Sequence, residues 1–228
     1  SIENGNTLVT DGYAGYASLP SYYNAKEKFA YDPNRGIHFR TKVLVSATNV
    51  RTENDAVVVD GAKEVTLYIV DATSFNGYDK DPVKQGKPYK LLADARLRHI
   101  SAVPYPKLWH RHVKDYQSIY NRVKLSLGTG NDDQRPTDVQ LREYVDENRF
   151  NPALEVLYFQ YGRYLLISCS RTPHVPANLQ GLWNESILPP WSCNYTSNIN
   201  VRENYWAAET AALPERHESL LTFLKELQ

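Results

Sequence analysis

The sequence is poor in the features that would assign it to several common classes of protein. It has two cysteines, and its 26 basic residues balance its 26 acidic ones, which gives a formal net charge of zero. A neutral chain offers no electrostatic reason to expect a nucleic acid or a membrane surface as a partner. None of its apolar runs is long enough to cross a bilayer. We therefore expect neither nucleic acid nor membrane among its partners.

The two cysteines, Cys169 and Cys193, also limit the expected chemistry. They fit a pair of buried thiols, which is the default, or a single disulfide, and the sequence does not choose between them. No histidine stands near them at the spacing of metal ligands, and we predict no metal and no cofactor. The first ten residues, SIENGNTLVT, lack the basic start and apolar stretch of a secretion signal. A leader that has been removed and an internal piece of a longer protein both explain that start.

What is present in the first half of the chain is a β pattern, which runs to about Pro104. Residues 37–45 alternate and then become apolar, residues 56–59 stand between two turn signals, and residues 65–70 form a β-branched run typical of a buried strand. Closely spaced strands with Gly, Asn and Asp turns predict an antiparallel sandwich. The polar residues 73–89 predict an exposed loop.

The middle of the chain is predicted to be mainly helical. Residues 107–120 predict one helix, residues 122–127 alternate as one further strand, and residues 135–148 predict a short polar helix. Thr137 is the predicted cap of that short helix, with Gln140 at the spacing of a capping box.

The strongest helix signal begins at Asn151, a favoured cap residue, with Pro152 in the first turn. Large side chains, ending in one serine, then recur at helical spacing and predict a helix packed along a broad face. They are Leu154, Leu157, Tyr158, Tyr161, Tyr164, Leu165 and Ser168. Two further helices are predicted, one over about residues 201–212 and one from Pro214 to the last residue.

One stretch, residues 173–209, combines three tryptophans with many side-chain amides. A buried core does not need so many amides, because each must find partners or cost free energy, and a surface loop does not need the tryptophans. A pocket for a polyhydroxylated ligand uses both, because flat rings cover the apolar faces of a sugar and amides pair with its hydroxyl groups. The stretch therefore favours a sugar-binding site.

Several segments of this stretch carry a resemblance to a known family. They are PANLQGLWN at 176–184, PPW at 189–191, Tyr195, Asn198-Ile199-Asn200 and NYWAAE at 204–209. Together they closely resemble the catalytic-domain signature of family 95 glycoside hydrolases, the inverting α-L-fucosidases and α-L-galactosidases.

The resemblance implies a mixed fold, first β and then α. It implies the C-terminal part of an N-terminal antiparallel β-sandwich in residues 1–105 and a helical linker with one strand in residues 106–150. Residues 151–228 would then form the first helices of an (α/α)6 catalytic barrel. A periplasmic or secreted location is implied by the same resemblance.

In inverting glycoside hydrolysis an acid protonates the leaving oxygen while a base activates water on the opposite face of the sugar. The resemblance implies that Asn198 and Asn200 hold this water together with a distant Asp, and that the acid Glu and that Asp lie beyond residue 228. A side-chain amide takes up no proton at neutral pH, but its carbonyl oxygen accepts a hydrogen bond from water and orients it. Because the pair stands at the start of a predicted helix, capping is the alternative role.

Four further residues are candidates for contact with the sugar. Thr196 stands two positions before the first asparagine, where fucosidases of the family can carry His. In the family, Thr there is associated with L-galactose, which has a C6 hydroxyl that L-fucose lacks. Trp183, Trp191 and Tyr195 are candidate sugar platforms, with core packing as the alternative for each. Trp206 lies within the predicted helix and is assigned to the core.

The leading hypothesis is part of a glycoside hydrolase that releases terminal α-L-fucosyl or α-L-galactosyl residues from a glycan with inversion. A sugar-binding piece without catalysis is the second. A sandwich-plus-barrel disaccharide phosphorylase is the third, and it is disfavoured because residues 173–209 hold no Lys and only one Arg, Arg202, for a phosphate. Three helices do not close a barrel, and the last one carries leucines on one face up to residue 228. The rest of a longer chain is therefore an expected partner, and these 228 residues alone are expected to be inactive.

Overall fold

The computed structural model describes residues 1–20, 22–128, 134–147 and 149–228. They divide into two compact units, Ser1–Arg111 and His112–Gln228. Across these ranges no helix has the length and apolar character needed to cross a membrane.

The first unit is built on an antiparallel sheet of four strands. These are β1 (Ile2–Glu3), β2 (Thr7–Tyr13), β5 (His38–Ala47) and β8 (Val65–Thr73), in the order β1-β2-β5-β8. Two small sheets pair β3 (Ala17–Ser18) with β4 (Phe29–Ala30), and β6 (Val50–Glu53) with β7 (Ala56–Val59). The strands predicted at 37–45, 56–59 and 65–70 are confirmed.

The hairpin of β6 and β7 shows how local sequence determines a turn. Asn54 and Asp55 connect its strands, and both have a positive φ, 47° and 61°. Two successive left-handed residues are what a tight hairpin turn of this kind requires, and Asn and Asp tolerate that region better than most residues. The predicted turn is confirmed.

The β pattern expected as far as Pro104 is wrong for residues 89–101, which form helix α1 (Tyr89–Ser101). This segment is rich in Leu, Ala and Arg, which favour a helix. Ala93 and Leu97, one turn apart, are its buried residues, and the helix packs against β5 and β8. The spacing of apolar residues in this short segment fits both the period of a strand and that of a helix. Packing on the sheet decides in favour of the helix.

A buried ion cluster joins α1 to the sheet. Lys42 on β5 is almost fully buried, and its Nζ donates to Glu3 at 2.6 Å and to Asp94 of α1 at 2.7 Å. Burial alone would lower the pKa of Lys42, but the two carboxylates raise it overall. The cluster thus keeps the lysine charged in the interior of the unit.

The prediction that residues 65–70 form a buried strand is wrong for one of its two faces. Val70 and Ala72 of β8 are buried, whereas Val65, Leu67 and Ile69 are each about half exposed. Side chains alternate across a strand, so the second set lies on the opposite face from Val70. The sandwich itself stays a prediction.

The second unit consists of helices. They are the end of α2 (Tyr105–Tyr120), α3 (Thr137–Asp146), α4 (Pro152–Cys169), α5 (Asn200–Thr210) and α6 (Pro214–Glu226). Its core joins side chains of α2, α4, α5 and α6, among them Ile119, Ile167, Tyr205, Ala208 and Leu220. Asn151 caps α4 as predicted, because its side-chain oxygen accepts a hydrogen bond from Leu154 N at 3.1 Å.

Two predictions for the middle of the chain are wrong. Residues 122–127 form no strand within the described part of the chain. A strand needs a partner for its backbone groups, and here Gln160 Nε2 donates to the carbonyl of Val123 at 3.3 Å instead. Thr137 is the first residue of α3 and does not cap it, and Gln140 Nε2 donates to Arg135 O at 2.7 Å. Asn148, the predicted last residue of that helix, lies outside the described residues.

The division into residues 1–105, 106–150 and 151–228 stays a prediction, and so does the barrel. The large side chains predicted along α4 are mostly on its open side, where Leu157, Tyr158 and Tyr161 are exposed. The side that faces the core carries Arg163, Leu166 and Ile167.

Candidate active site

The candidate residues lie on one long connection, residues 170–199, which runs from the end of α4 to the start of α5. We call it the site loop. It contains Trp183, Trp191, Tyr195, Thr196 and Asn198, and Asn200 is the first residue of α5.

The backbone of the site loop is strained at its centre. Pro190–Cys193 form a short 3-10 turn in which Trp191, Ser192 and Cys193 have φ values of 55°, 58° and 50°. Each non-glycine residue in this left-handed region costs about 1–2 kcal/mol. Such a conformation persists only where surrounding contacts hold the chain.

Helix α5 supplies part of that support. Asn204 Nδ2 donates to the carbonyl oxygens of Ala177 and Asn178 at 3.3 and 3.2 Å. The hydroxyl of Tyr205 accepts a hydrogen bond from Ala177 N at 2.7 Å. Two consecutive residues of α5 therefore hold both sides of the same backbone segment.

Tyr205 joins the loop to further helices. Its side chain is only 3% exposed, and its hydroxyl lies 2.6 Å from Ser170 Oγ, at the end of α4, and 3.0 Å from Ser219 Oγ on α6. Its ring stacks on His217 at a centroid distance of 5.8 Å. Sequence reasoning missed this role, although Val201, Tyr205 and Ala208 follow helical spacing and a buried Tyr hydroxyl needs partners.

The loop also uses many of its own amides. Leu179 N donates to Asn194 O at 3.2 Å, and this bond joins the early and late parts of the loop. Gln180 Nε2 donates to Pro190 O at 3.1 Å. Asn194 Oδ1 accepts hydrogen bonds from both the backbone N–H and the hydroxyl of Thr196. Much of the amide content that suggested a sugar site therefore serves the structure of the loop.

Asn198 and Asn200 differ from these amides. Asn198 is exposed and Asn200 is half-buried, on either side of Ile199, the N-cap residue of α5. Among the described residues, neither side chain takes part in a hydrogen bond, so neither caps the helix. The pair offers carbonyl oxygens and N–H groups to a ligand or to water next to a helix N-terminus.

Two of the three predicted platforms present open ring surface. Trp183 is half exposed, and its ring lies against Tyr164 at a centroid distance of 6.4 Å. Gly181, with φ at 60°, permits that position, because a Cβ there would come within 2.9 Å of the Trp183 ring. Trp191 is 63% exposed, on the strained turn.

Tyr195 has contacts that favour its alternative role of core packing, and its part in sugar binding stays a prediction. It is half-buried, and its ring packs on Phe223 of α6 at a centroid distance of 4.9 Å. Burial raises the pKa of its hydroxyl. The assignment of Trp206 to the core is wrong, since its side chain is 66% exposed. The neighbouring Tyr205 occupies the core because the buried face of α5 follows Val201 and Ala208.

The chemistry available from carboxylates near the pair is limited. In the sequence, residues 170–199 contain one carboxylate, Glu185, and it is exposed. On α5, Glu203 is exposed, and Glu209 lies 2.9 Å from His217 Nδ1. The ranges described hold no group of three or more His, Cys, Asp or Glu side chains suited to a metal ion.

Cys169 and Cys193 are both free and half-buried, so the disulfide alternative is excluded and the thiol alternative is confirmed. Burial raises the pKa of the Cys169 thiol, which keeps it protonated at neutral pH.

The open asparagine pair and the exposed tryptophans on one loop are the kinds of side chain that a carbohydrate-binding protein uses. The sequence model of the glycosyl hydrolase family 95 catalytic domain matches residues 104–228. This chain belongs to glycosyl hydrolase family 95.

Three similar proteins carry fucosidase names. The chain is 38% identical over 207 residues to "Probable alpha-fucosidase A" of Aspergillus niger, which covers 85% of this chain and 26% of that protein. It is 33% identical over 205 residues to "Alpha-L-fucosidase 2" of Arabidopsis thaliana, and this match covers 86% of this chain and 24% of that protein. It is 34% identical over 192 residues to "Probable alpha-fucosidase A" of Aspergillus oryzae, and this match covers 79% of this chain and 24% of that protein. The chain thus spans about a quarter of the length of these relatives.

Proposed function

We propose that this chain is part of a glycoside hydrolase that releases terminal α-L-fucose or α-L-galactose from glycans by an inverting mechanism. Membership of family 95 and the names of the three relatives support the reaction class. The observation that carries the proposal is the pair Asn198 and Asn200, whose amides are not used by the loop.

The pair fits the task of holding water. A carbonyl oxygen from each amide would accept a hydrogen bond from one water molecule and turn its lone pair toward the anomeric carbon of the sugar. The amides remain neutral, so a carboxylate must remove the proton as the bond to the sugar forms. A second carboxyl group must protonate the departing oxygen on the opposite face.

We assign both carboxyl groups to the remainder of a longer chain, which is the first partner in this proposal. The relatives are about four times as long as the matched region, and Glu185 and Glu203 are exposed side chains outside the core of this unit. The second partner is the terminal α-L-fucosyl or α-L-galactosyl group of a glycan. Trp183 and Trp191 would cover apolar faces of that glycan.

The experiment that tests the proposal measures release of L-fucose and L-galactose from α-linked substrates by the full-length protein. Asn198→Ala and Asn200→Ala are each expected to lower kcat by about 100-fold, because misplacing the attacking water costs about that much. Asn121→Ala is the matched control, since Asn121 is an exposed asparagine of the same unit outside the site loop. Unchanged kcat in both site variants would refute the role of the pair.

A sugar-binding piece without catalysis is the second candidate, favoured by the lack of a buried carboxylate in the site loop. Inversion is tested separately, by the anomeric form of the first product seen by NMR. A periplasmic or secreted location is part of the proposal, rests on the resemblance alone, and is tested by fractionating cells for the activity.

A further inference from the structure

Two residues of α5 hold the site loop and are not part of the proposed water site. Tyr205 is buried and Asn204 is half-buried, and each bonds to backbone groups of Ala177 or Asn178. We call the pair Asn204 and Tyr205 the loop clamp.

The hydroxyl of Tyr205 uses both its proton and its oxygen lone pairs in hydrogen bonds. Ser219 Oγ lies 3.0 Å from the carbonyl oxygen of Arg216, which can only accept, so the single proton of Ser219 is used there. Ser219 must then accept from the hydroxyl of Tyr205. With its own proton used, the Tyr205 oxygen accepts from Ser170 and from Ala177 N. Loss of the hydroxyl would leave the Ala177 N–H without its partner in the interior.

A short series of contacts connects the loop clamp to the asparagine pair. Next to the held segment, Leu179 N donates to Asn194 O at 3.2 Å, and Asn194 Oδ1 accepts from Thr196 N at 3.1 Å. The carbonyl of Thr196 accepts from Val201 N at 3.4 Å, within the first turn of α5. Asn198 and Asn200 both lie within the segment that runs from Thr196 to Val201.

The same helix thus anchors the loop at two places. Its first turn carries Asn200 and bonds to the end of the site loop at Thr196. Its second turn carries the clamp, which holds the early part of the loop at Ala177. The strained turn at Trp191 lies between these two parts of the loop and adds a tendency to relax once either anchor is lost.

We propose that Asn204 and Tyr205 are positioning residues that fix the site loop, and through it the water-holding geometry of Asn198 and Asn200. This inference rests on the proposed function for its kinetic consequence, whereas its structural part stands on the contacts alone. The clamp acts through Ala177, Leu179 and Asn194.

The test compares Tyr205→Phe and Asn204→Ala with Ser219→Ala in the full-length protein. Ser219→Ala removes the bond from Tyr205 to α6 but leaves the bond to Ala177, so it disturbs the same buried tyrosine and spares the loop. Amide hydrogen exchange over residues 176–196 is the first readout. We expect it to rise at least about 10-fold in the two clamp variants and to stay near wild type in Ser219→Ala, under conditions where all three proteins are folded.

Kinetics supply the second readout. The clamp variants are expected to lose about 10- to 100-fold in kcat with a smaller change in KM, because misplaced water affects the reaction more than the binding of the sugar. Tyr116→Phe is a further control, since Tyr116 is a half-buried tyrosine packed against the core of the same unit.

The outcomes separate the two proposals. Equal hydrogen exchange over residues 176–196 in the clamp variants and Ser219→Ala would overturn the clamp. Faster exchange with unchanged kcat would overturn its positioning role. If the wild-type protein hydrolyses neither sugar, the proposed function fails while the exchange experiment still decides whether the clamp exists. Asn204→Ala keeps the hydrogen bonds of Tyr205, so this variant alone tests the clamp if Tyr205→Phe does not fold.

Discussion

At the scale of single residues, Thr196 has a structural contact that bears on its predicted role in sugar selectivity. Its hydroxyl donates to Asn194 Oδ1, so its proton is already used. What it offers to a sugar is therefore a lone pair. The C6 hydroxyl of L-galactose could donate to that lone pair, whereas the C6 methyl of L-fucose could not. The contact with Asn194 thus supports the hypothesis of L-galactose tolerance, which remains part of the proposed function.

The prediction for Thr196 concerns the ratio of kcat/KM for α-L-galactosides to that for α-L-fucosides. Thr196→His should shift this ratio toward L-fucose by about 10-fold or more, because a larger ring fills the space of the extra hydroxyl. Thr196→Val should also lower it, since it keeps the shape and removes the acceptor. Thr210→Val, at the exposed end of α5, is the control and should leave the ratio unchanged. A ratio that stays constant in Thr196→His would contradict the hypothesis.

At the scale of helices and strands, Arg163 links three elements. It is 2% exposed, and its guanidinium donates to the carbonyls of Ile119 and Tyr120 at the end of α2 and of Ala211 just after α5. Carbonyls at helix C-termini lack partners within their own helix and carry partial negative charge. Burial lowers the pKa of Arg163, although an arginine stays protonated at neutral pH. The charge is thus held by helix ends, and within the described part of the chain Gln160 Oε1 is its one side-chain acceptor.

We predict that Arg163→Lys lowers the free energy of unfolding by about 2–4 kcal/mol. Lysine lacks the fixed fork with which the guanidinium reaches three carbonyls. Ile119 O keeps its bond from Arg122 N, but the carbonyls of Tyr120 and Ala211 would lose the arginine, and a buried carbonyl left unpaired costs about 1–3 kcal/mol. Arg202→Lys, on the exposed side of α5, is the matched control and should change little. Denaturant unfolding of both variants measures the difference, and equal stabilities would contradict the linking role.

The same scale shows which features the sequence could predict. Asn54-Asp55 and Asn151-Pro152 were predictable because the residues that define a hairpin turn or a helix start are adjacent in sequence. The alternation of residues 122–127 misled, because a strand also needs a partner that local sequence does not supply. Trp206 and Tyr205 are neighbours with opposite burial, and only the contacts of α5 with the core decide which one is inside. The strained turn at Trp191 left no local signal, since its residues are not those that favour a left-handed backbone.

At the scale of the whole molecule, each unit leaves apolar side chains open. In the first unit they are Val65, Leu67 and Ile69 of β8, and in the second they include Leu221 and Leu224 on α6 and Leu227 just after it. Folded proteins rarely expose large contiguous apolar patches, and such patches usually mark an interface. This chain matches about a quarter of its relatives, which is consistent with the proposal that the rest of a longer chain covers these faces.

The last prediction follows from these faces and from the proposal that both catalytic carboxyl groups belong to the remainder of a longer chain. Purified as these 228 residues alone, the protein should bind a hydrophobic dye strongly and release neither L-fucose nor L-galactose, because loss of a general acid or base removes about 10²- to 10⁴-fold in rate each. The full-length protein should bind less dye per residue and be active. Leu221→Lys and Leu224→Lys should reduce the dye signal of the 228-residue protein without unfolding it, since both side chains already contact solvent. Hydrolysis by the 228 residues at the rate of the full-length protein would show that the carboxyl groups are within them, and would direct attention to Glu185 and Glu203.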